Sequence, residues 1–190
     1  MYNIYDFDKT IYKGDSSVDL YIYNLIRNPL IIKYLPTQVI GIIKYKLKKI
    51  SKKEMKEKYF IFLKGIKDID LKIEQFWNKK YKKIQKWYLD QNHDNDIIIS
   101  ASPEFLLLPL KETLKVKDII ATKVNKKSGK FESENCYGKE KVIRLKEKYP
   151  KIEVANVYSD SMSDLPILKL AKNSYLVKNN KILKINTIEK

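Results

Sequence analysis

The sequence predicts an α/β protein with a Rossmann-like, doubly wound and mostly parallel sheet, and with a helical segment inserted after the first strand. Three features indicate this class. Short apolar, β-prone stretches recur along the chain, and several of them end in acidic or hydroxyl residues. Segments with apolar residues three and four positions apart lie between them, as in βαβ units. One long helical stretch interrupts the alternation near the beginning of the chain.

The elements of the predicted core follow one another in a βαβ pattern. Residues 2–7 are short and β-prone and end at a cluster of acidic residues, which is typical of a buried first strand. We expect the other strands at residues 96–100, 119–124, 154–159, 174–177 and 182–185. We expect helices at residues 103–114, 139–149 and 164–171. Pro103 suits a first helical position, and Pro150 ends the second of these helices.

The inserted segment is helical in pattern. The predicted core is residues 1–14 and 89–190, and the predicted cap is residues 15–88. Pro29, Pro36 and Gly65 divide the cap into several amphipathic helices. Lysines interrupt its most apolar part, residues 30–47, whereas a membrane span needs about 20 mainly apolar residues. We interpret the cap as packed helices with a solvated lysine face, and the alternative is a helix lying at a membrane interface.

Composition excludes several classes of protein. The 190 residues carry 39 Lys and Arg against 23 Asp and Glu, a formal net charge of +16, and include a single cysteine, Cys136. A lone cysteine excludes an internal disulfide framework and a multi-cysteine zinc site. Only Arg27 and Arg144 are arginine, so we expect no specific nucleic-acid partner. Lysine alone still attracts anionic surfaces. The acidic residues near the start do not fit a secretory signal, so we expect a cytoplasmic protein, with peripheral binding to the inner face of the membrane as an alternative.

Three acidic or hydroxyl clusters follow predicted strands, and the sheet topology brings them together. The clusters are Asp6-Phe-Asp8-Lys-Thr10, Ser100-Ala101-Ser102, and Ser159-Asp160-Ser-Met-Ser-Asp164. Because parallel strands share one carboxyl edge, we expect these side chains to converge there. Asp6 and Asp8 alternate to one side, and Asp160 from a neighbouring strand would repel them unless a cation lay between. Mg²⁺ is the expected cofactor, since it prefers oxygen ligands and a phosphate in the same shell.

These motifs, in this order, resemble the haloacid dehalogenase superfamily of hydrolases, and within it the phosphoserine-phosphatase-like branch (subfamily IB). The resemblance implies a phosphatase in which Asp6 is the nucleophile and Asp8 is the general acid and base. It also implies that Asp6, Asp8 (through its backbone carbonyl) and Asp160 hold Mg²⁺, while Asp164 orients a lysine or a metal-bound water. The phosphate-binding residues it implies are Thr10, Ser100, Ala101 and a lysine at the start of a helix.

Two lysines fit that last position. Lys139 is favoured because it places Val142 and Ile143 at the inward positions of the first helical turn. Lys141 is favoured because the stretch from Cys136 to Val142 resembles related sequences when it is aligned in that way. Both remain candidates at this stage.

The substrate is left open between two groups of phosphate esters. Asp15 matches the position where phosphoserine phosphatases carry a substrate-contacting Glu, but the segment from Glu54 to Leu63 has no arginine for a substrate carboxylate. We therefore expect a small phosphorylated metabolite, phosphoserine-like or other. The alternative is a phosphatidylglycerophosphate-type lipid phosphatase, because Gly14-Asp15-Ser16-Ser17, the apolar cap and Ser100-Ala-Ser-Pro-Glu-Phe105 resemble a set of relatives that includes such enzymes. A lipid phosphate would also suit an apolar cap beside many lysines.

Two other functions remain to be distinguished by assay. A non-enzymatic basic binding module would bind vesicles or oligonucleotides in a salt-sensitive way and would turn over no phosphate ester. A phosphotransferase or mutase would pass the phosphoryl group of an aspartyl phosphate to an acceptor other than water.

Overall fold

The computed structural model describes residues 1–186, and the last four residues of the predicted core lie outside them. A single six-stranded sheet forms the centre. Its strands are β1 (Tyr2–Tyr5), β2 (Asp96–Pro103), β3 (Asp118–Thr122), β4 (Val154–Ser159), β5 (Ala171–Lys178) and β6 (Lys181–Ile185). The spatial order is β3-β2-β1-β4-β5-β6, and every neighbouring pair is parallel except β5 with β6. The predicted mostly parallel, doubly wound class is confirmed.

Both faces of the sheet are covered, which is why its central strands read as nearly continuous apolar runs. In β2, Ile97 and Ile99 pack into one apolar cluster, and Ile98 packs into another on the opposite face. Phe7, two residues after the end of β1, is fully buried in the cluster that contains Ile98. The period of two therefore continues past the end of the strand and separates Phe7 from its acidic neighbours.

Nine α-helices surround the sheet within residues 1–186. Between β1 and β2 lie α1 (Ser16–Arg27), α2 (Leu35–Lys46), α3 (Lys52–Phe60), α4 (Ile69–Lys80) and α5 (Lys86–Leu89). After β2 come α6 (Glu104–Leu107), α7 (Leu110–Leu114), α8 (Lys139–Lys148) and α9 (Leu165–Leu168). Short 3-10 turns lie at Pro29–Tyr34, Ile61–Gly65, Tyr81–Lys83 and Met162–Asp164. No helix in the described part is long and apolar enough to cross a membrane.

The helical insertion packs on the core through aromatic side chains. Trp77 of α4 contacts Phe7 edge to face at 5.9 Å, and its indole N–H donates to the Leu106 carbonyl at 2.7 Å. On the other side, Phe60 at the end of α3 contacts Phe131 from the loop before α8. Residues of α1 and α3 lie over the carboxyl edge of the sheet, where they face the residues that follow β1, β2 and β4. The division of the chain at residues 14/15 and 88/89 stays a prediction.

Candidate active site

The carboxyl ends of β1, β2 and β4 open into one cavity of about 410 Å³. Its lining includes Asp6, Asp8, Asp15, Ser100, Ala101, Lys141, Asp160 and Asp164. The structure thus brings together side chains from the first strand, the cap and the last third of the chain. Two predicted site residues do not line this cavity: Thr10, which is fully buried, and Lys139, which is exposed. Thr10 lies inside the turn that follows β1, where Phe7 O accepts its backbone N–H, and its expected role in phosphate binding stays a prediction.

Lys141 is the lysine at the centre of the cavity. Its Nζ donates to Asp6 Oδ1 and to Asp164 Oδ2, both at 2.6 Å. Ser159 Oγ donates to the same Asp164 oxygen at 2.8 Å, so Asp164 connects the end of β4 to the lysine. Only 3% of the Lys141 side chain is exposed. This geometry matches the lysine-orienting role expected for Asp164, whereas its expected role towards metal stays a prediction.

The orientation of α8 places Lys141, and not Lys139, in the cavity. Gly138 precedes this helix with φ +58°, a conformation that glycine adopts without steric cost. The chain then enters the helix so that Lys141 and Leu145, four residues apart, are the buried positions. Ile143 lies on the outer side and is 49% exposed. The expectation that Ile143 points inward was therefore wrong, and the argument for Lys139 fails with it.

The surroundings of Asp6 raise the pKa of its carboxyl group. Burial raises the pKa of Asp6 to about 7, and the charges of Asp164 and Asp8 act in the same direction. Lys141 opposes them through its charge and its hydrogen bond. For Lys141 itself, burial lowers the pKa, but attraction to Asp6 and Asp164 outweighs burial, so the pKa is raised and the ammonium stays charged. The ion pair holds a cation beside the Asp6 carboxylate.

Asp8 is held by the start of α1 and by β2. Its Oδ1 accepts the backbone N–H of Ser16 at 2.6 Å, and its Oδ2 accepts the hydroxyl of Ser102. Burial, followed by the charge of Asp15, raises the pKa of Asp8 to about 6. Asp15 is the N-cap of α1, where its Oδ1 accepts the Val18 N–H at 3.0 Å. The cap thus orients the Asp8 carboxylate through the Ser16 backbone N–H, and the charge of Asp15 helps to raise the pKa of Asp8.

Ser100 and Ala101 form the wall contributed by β2. The Ser100 side chain is buried, and its Oγ accepts the backbone N–H of Ser102 at 3.1 Å. The Ala101 carbonyl accepts Lys56 Nζ at 2.8 Å and Thr122 Oγ1 at 3.2 Å. This hydroxyl-rich turn faces the acidic turn after β1 across the cavity.

The comparisons with known proteins agree with this arrangement. A family model described as haloacid dehalogenase-like hydrolase matches residues 4–169. This chain belongs to the haloacid dehalogenase-like hydrolases. The predicted superfamily and the enzyme class, a hydrolase, are confirmed.

Solved structures share the fold over most of the chain. A protein of unknown function from Bordetella pertussis Tohama I aligns with a TM-score of 0.72 at 18% identity, covering 91% of this chain and 87% of that one. A phosphoserine phosphohydrolase-like protein from Francisella tularensis subsp. tularensis SCHU S4 aligns with a TM-score of 0.57 at 19% identity, covering 91% and 85%. At these identities the likeness concerns the fold, which is the one predicted for the phosphoserine-phosphatase-like branch.

A curated relative matches over a shorter stretch. Protein CicA of Caulobacter vibrioides is 31% identical over 81 residues, which is 40% of this chain and 36% of the relative. The match thus spans about a third of that relative's length.

The donors of this haloacid dehalogenase-like site fit Mg²⁺. Asp160 lines the same cavity as Asp6, and burial raises its pKa, with the charge of Asp164 adding to the effect. Within residues 1–186, no group of three or more His, Cys, Asp or Glu side chains is placed to hold a metal together. The expected set needs only two carboxylates, Asp6 and Asp160, plus the backbone carbonyl of Asp8. Carboxylate and backbone carbonyl oxygens are the hard donors that Mg²⁺ prefers.

One residue of the site was not singled out from the sequence. Lys56 of α3 reaches from the cap into the cavity, where its Nζ also donates to Asn135 Oδ1 at 3.2 Å. Burial, followed by repulsion from Lys52, lowers the pKa of Lys56 to about 8. The four-residue spacing of Lys52 and Lys56 puts both on one helix face. In a chain with 39 basic residues, that spacing did not distinguish them from a solvated pair.

Proposed function

We propose that this protein is a magnesium-dependent phosphomonoester hydrolase that acts through an aspartyl phosphate on Asp6. The observation that supports this most is the position of Asp6. It lies at the end of a central strand, 2.6 Å from a buried lysine, with a second carboxylate of raised pKa two residues further on. A carboxylate nucleophile beside a fixed cation is the arrangement that phosphoryl transfer to a side chain needs.

In the first step, an Asp6 carboxylate oxygen forms a bond to phosphorus while the bond from phosphorus to the ester oxygen breaks. The Asp8 carboxyl gives its proton to the departing oxygen. A pKa near 6 suits this role, because a fraction of Asp8 is protonated at neutral pH and the group still gives up its proton readily. Ser102 and the Ser16 N–H fix the orientation of that carboxyl.

In the second step, water attacks the phosphorus of the aspartyl phosphate and the bond from phosphorus to Asp6 breaks. Asp8, now ionised, takes the proton from the attacking water. Lys141 and the hydroxyl of Ser100, which both line the cavity, would bind phosphoryl oxygens, across which the transition-state charge is spread. Mg²⁺, held by Asp6, Asp160 and the Asp8 carbonyl, would supply further charge neutralisation when bound.

The cavity supports a small phosphorylated metabolite as the substrate. A volume of about 410 Å³ lies within the range of small-molecule sites. Lys56 and Lys52 line it from the cap side and would attract an anionic group on the non-phosphate part of the substrate. Asp15, also in the lining, would attract a cationic one.

Replacement of the nucleophile tests this proposal. We expect Asp6→Asn to lower the hydrolysis of p-nitrophenyl phosphate with Mg²⁺ by at least about 10³-fold, because an amide cannot form the phosphoenzyme. Asp94→Asn, in an exposed loop, is the matched control and should keep wild-type activity. Mass spectrometry of acid-quenched wild type should find phosphate on Asp6. Wild-type turnover by Asp6→Asn would refute the assignment.

The proposed hydrolase is distinguished from a phosphotransferase by the fate of the phosphoryl group. We expect the release of inorganic phosphate to equal the release of nitrophenol even when glycerol is added as an acceptor. A deficit in phosphate matched by glycerol phosphate would favour a phosphotransferase.

A lipid phosphate monoester is the second candidate substrate. The observation that favours it is the exposed apolar and basic surface of the cap around α2. A panel of phosphorylated metabolites and phosphorylated lipids in mixed micelles, assayed for free phosphate, separates the two candidates.

A further inference from the structure

Helix α2 buries a polar and a small residue and exposes its apolar ones, which is the reverse of the usual pattern for a helix on the surface of a protein in water. The residues it buries are Gln38 and Gly41. Gln38 donates its side-chain amide to the Tyr59 carbonyl of α3 at 2.8 Å, and Gly41 lies against the side chain of Lys58. Its apolar residues are on the outside instead. A helix normally buries its apolar stripe and exposes its polar one, so this inversion indicates that something other than water covers the outer face.

The outer face extends from the turn before α2 to the residue after it. We define the apolar cap face as Leu30, Leu35, Val39, Ile40, Ile43 and Leu47. Each of these residues is between 42% and 77% exposed. Single exposed apolar residues are common on protein surfaces, but a contiguous set on one short segment marks an interaction surface.

The charge around α2 indicates what kind of surface covers the apolar cap face. Residues 20–53 contain no Asp or Glu, although the chain has 23 of them. The segment contains eight basic residues: Arg27, Lys33, Lys44, Lys46, Lys48, Lys49, Lys52 and Lys53. A second copy of the chain on this face would bring two such segments together and would be opposed by charge repulsion. An anionic surface is attracted instead.

We propose that the apolar cap face docks on the surface of an anionic lipid bilayer. Helix α2 lies in the plane of the interface, with its outward isoleucines and leucines at the boundary between headgroups and acyl chains. Lys33, Lys44, Lys46, Lys48 and Lys49, all exposed, lie beside those residues in the chain and reach the phosphate layer. Apolar burial and charge attraction act together, and this combination is what stable interfacial binding requires.

The apolar cap face and the cavity belong to helices that pack on each other. Helix α2 packs on Lys58 and Tyr59 of α3 through its buried side, and Lys52 at the start of α3 lines the cavity. The docking itself does not rest on the proposed function, whereas any uptake of substrate from the membrane surface does.

Flotation with vesicles tests the proposal without any activity measurement. We expect wild-type protein to bind vesicles of phosphatidylcholine and phosphatidylglycerol in equal parts, and to bind pure phosphatidylcholine at least about tenfold more weakly. The double variant Ile40→Ser/Ile43→Ser should bind the anionic vesicles at least about tenfold more weakly. Lys46→Gln/Lys49→Gln should lose about fivefold for each lysine.

Matched controls come from exposed residues elsewhere on the chain. Leu71→Ser/Ile143→Ser removes two residues that are each 49% exposed, and Lys146→Gln/Lys151→Gln removes two exposed lysines. We expect both control variants to bind like wild type. Thermal unfolding of every variant, followed by circular dichroism, checks that the fold is kept.

A fluorescent probe at the centre of the face reports insertion. We expect Ile43→Trp emission to shift to the blue on anionic vesicles and to be quenched by brominated acyl chains. The proposal is overturned if wild type does not bind anionic vesicles or if control and face variants lose binding equally. It is also overturned if Ile40→Ser/Ile43→Ser converts a stable wild-type dimer to monomers, since the face would then be covered by a second copy.

Discussion

Lys141 of α8 connects the segments that follow β1 and β4. It bonds Asp6 after β1 and Asp164 after β4, and Asp164 in turn accepts the hydroxyl of Ser159. The attraction of the two carboxylates outweighs the cost of burying the ammonium. Removal of this lysine would leave two buried carboxylates without their common cation.

We expect Lys141→Met to lower kcat/KM for p-nitrophenyl phosphate by about 10²–10³-fold, because a donor aimed at the transferring phosphoryl group is lost. The matched control is Lys139→Met, which removes an exposed lysine two residues away and should change kcat/KM by less than about twofold. Steady-state kinetics with saturating Mg²⁺ measures both. Equal losses of kcat/KM in the two variants would show that the effect does not depend on the position of Lys141 in the cavity.

Lys56 gives the site a dependence on pH. Its pKa of about 8 lies below that of an ordinary lysine, so it is charged at pH 7 and becomes neutral as the pH rises past about 8. We expect KM for an anionic substrate to rise between pH 7 and pH 9, because the attraction from the cap is lost. Lys56→Arg should flatten that rise, since a guanidinium remains charged, whereas Lys64→Arg, on an exposed position, should not. A pH profile of KM in Lys56→Arg identical to that of wild type would contradict this role.

At the scale of elements, α4 and α6 join the cap to the core. Trp77 of α4 is 5% exposed, contacts Phe7 and Tyr12 edge to face, and donates to the carbonyl of Leu106. Phe7 lies between the two site carboxylates in sequence. The packing that holds the cap in place is thus one residue away from the candidate nucleophile.

We expect Trp77→Phe to lower the free energy of unfolding by about 2 kcal/mol, since the Leu106 carbonyl loses its donor inside the core. Trp87→Phe is the matched control, because the Trp87 indole N–H has no hydrogen-bond partner within the described residues and its loss should cost less. Urea unfolding followed by circular dichroism gives both values. A larger loss for Trp87→Phe would show that the hydrogen bond contributes little.

At the scale of the whole molecule, the site exists only because distant segments meet at one edge of the sheet. β4 pairs with β1 in parallel, and this pairing brings Asp160 and Asp6 into the lining of one cavity although 153 residues separate them in the chain. The strand order is therefore what assembles the expected metal ligands.

We expect chelation with EDTA to abolish hydrolysis and added Mg²⁺ to restore it. Asp160→Asn should raise the Mg²⁺ concentration for half-maximal activity by at least about tenfold, because one of two carboxylate ligands is lost. Asp94→Asn should leave that concentration unchanged. Full activity of the wild-type protein in EDTA would show that hydrolysis does not require a metal ion.

The sequence predicted the fold class and most of the site because both depend on local patterns. Strand exits at Asp6, Ser100 and Ser159 could be read from short apolar runs that end in polar residues. Helix α8 was also recognised, but its rotation about its own axis was not. That rotation depends on the entry through Gly138 and on the packing of Leu145 beneath the sheet, and it decides between Lys141 and Lys139.

The sequence by itself determined that acidic and hydroxyl clusters follow the strands of a mostly parallel sheet and that a basic helical segment is inserted after the first strand. Only the tertiary structure decided which lysine enters the cavity, that Thr10 stays out of it, that Lys56 enters from the cap, and that α2 turns its apolar residues outward. The physical reason is that periodicity specifies which residues share a face, whereas the direction of that face is fixed by packing between segments far apart in the chain.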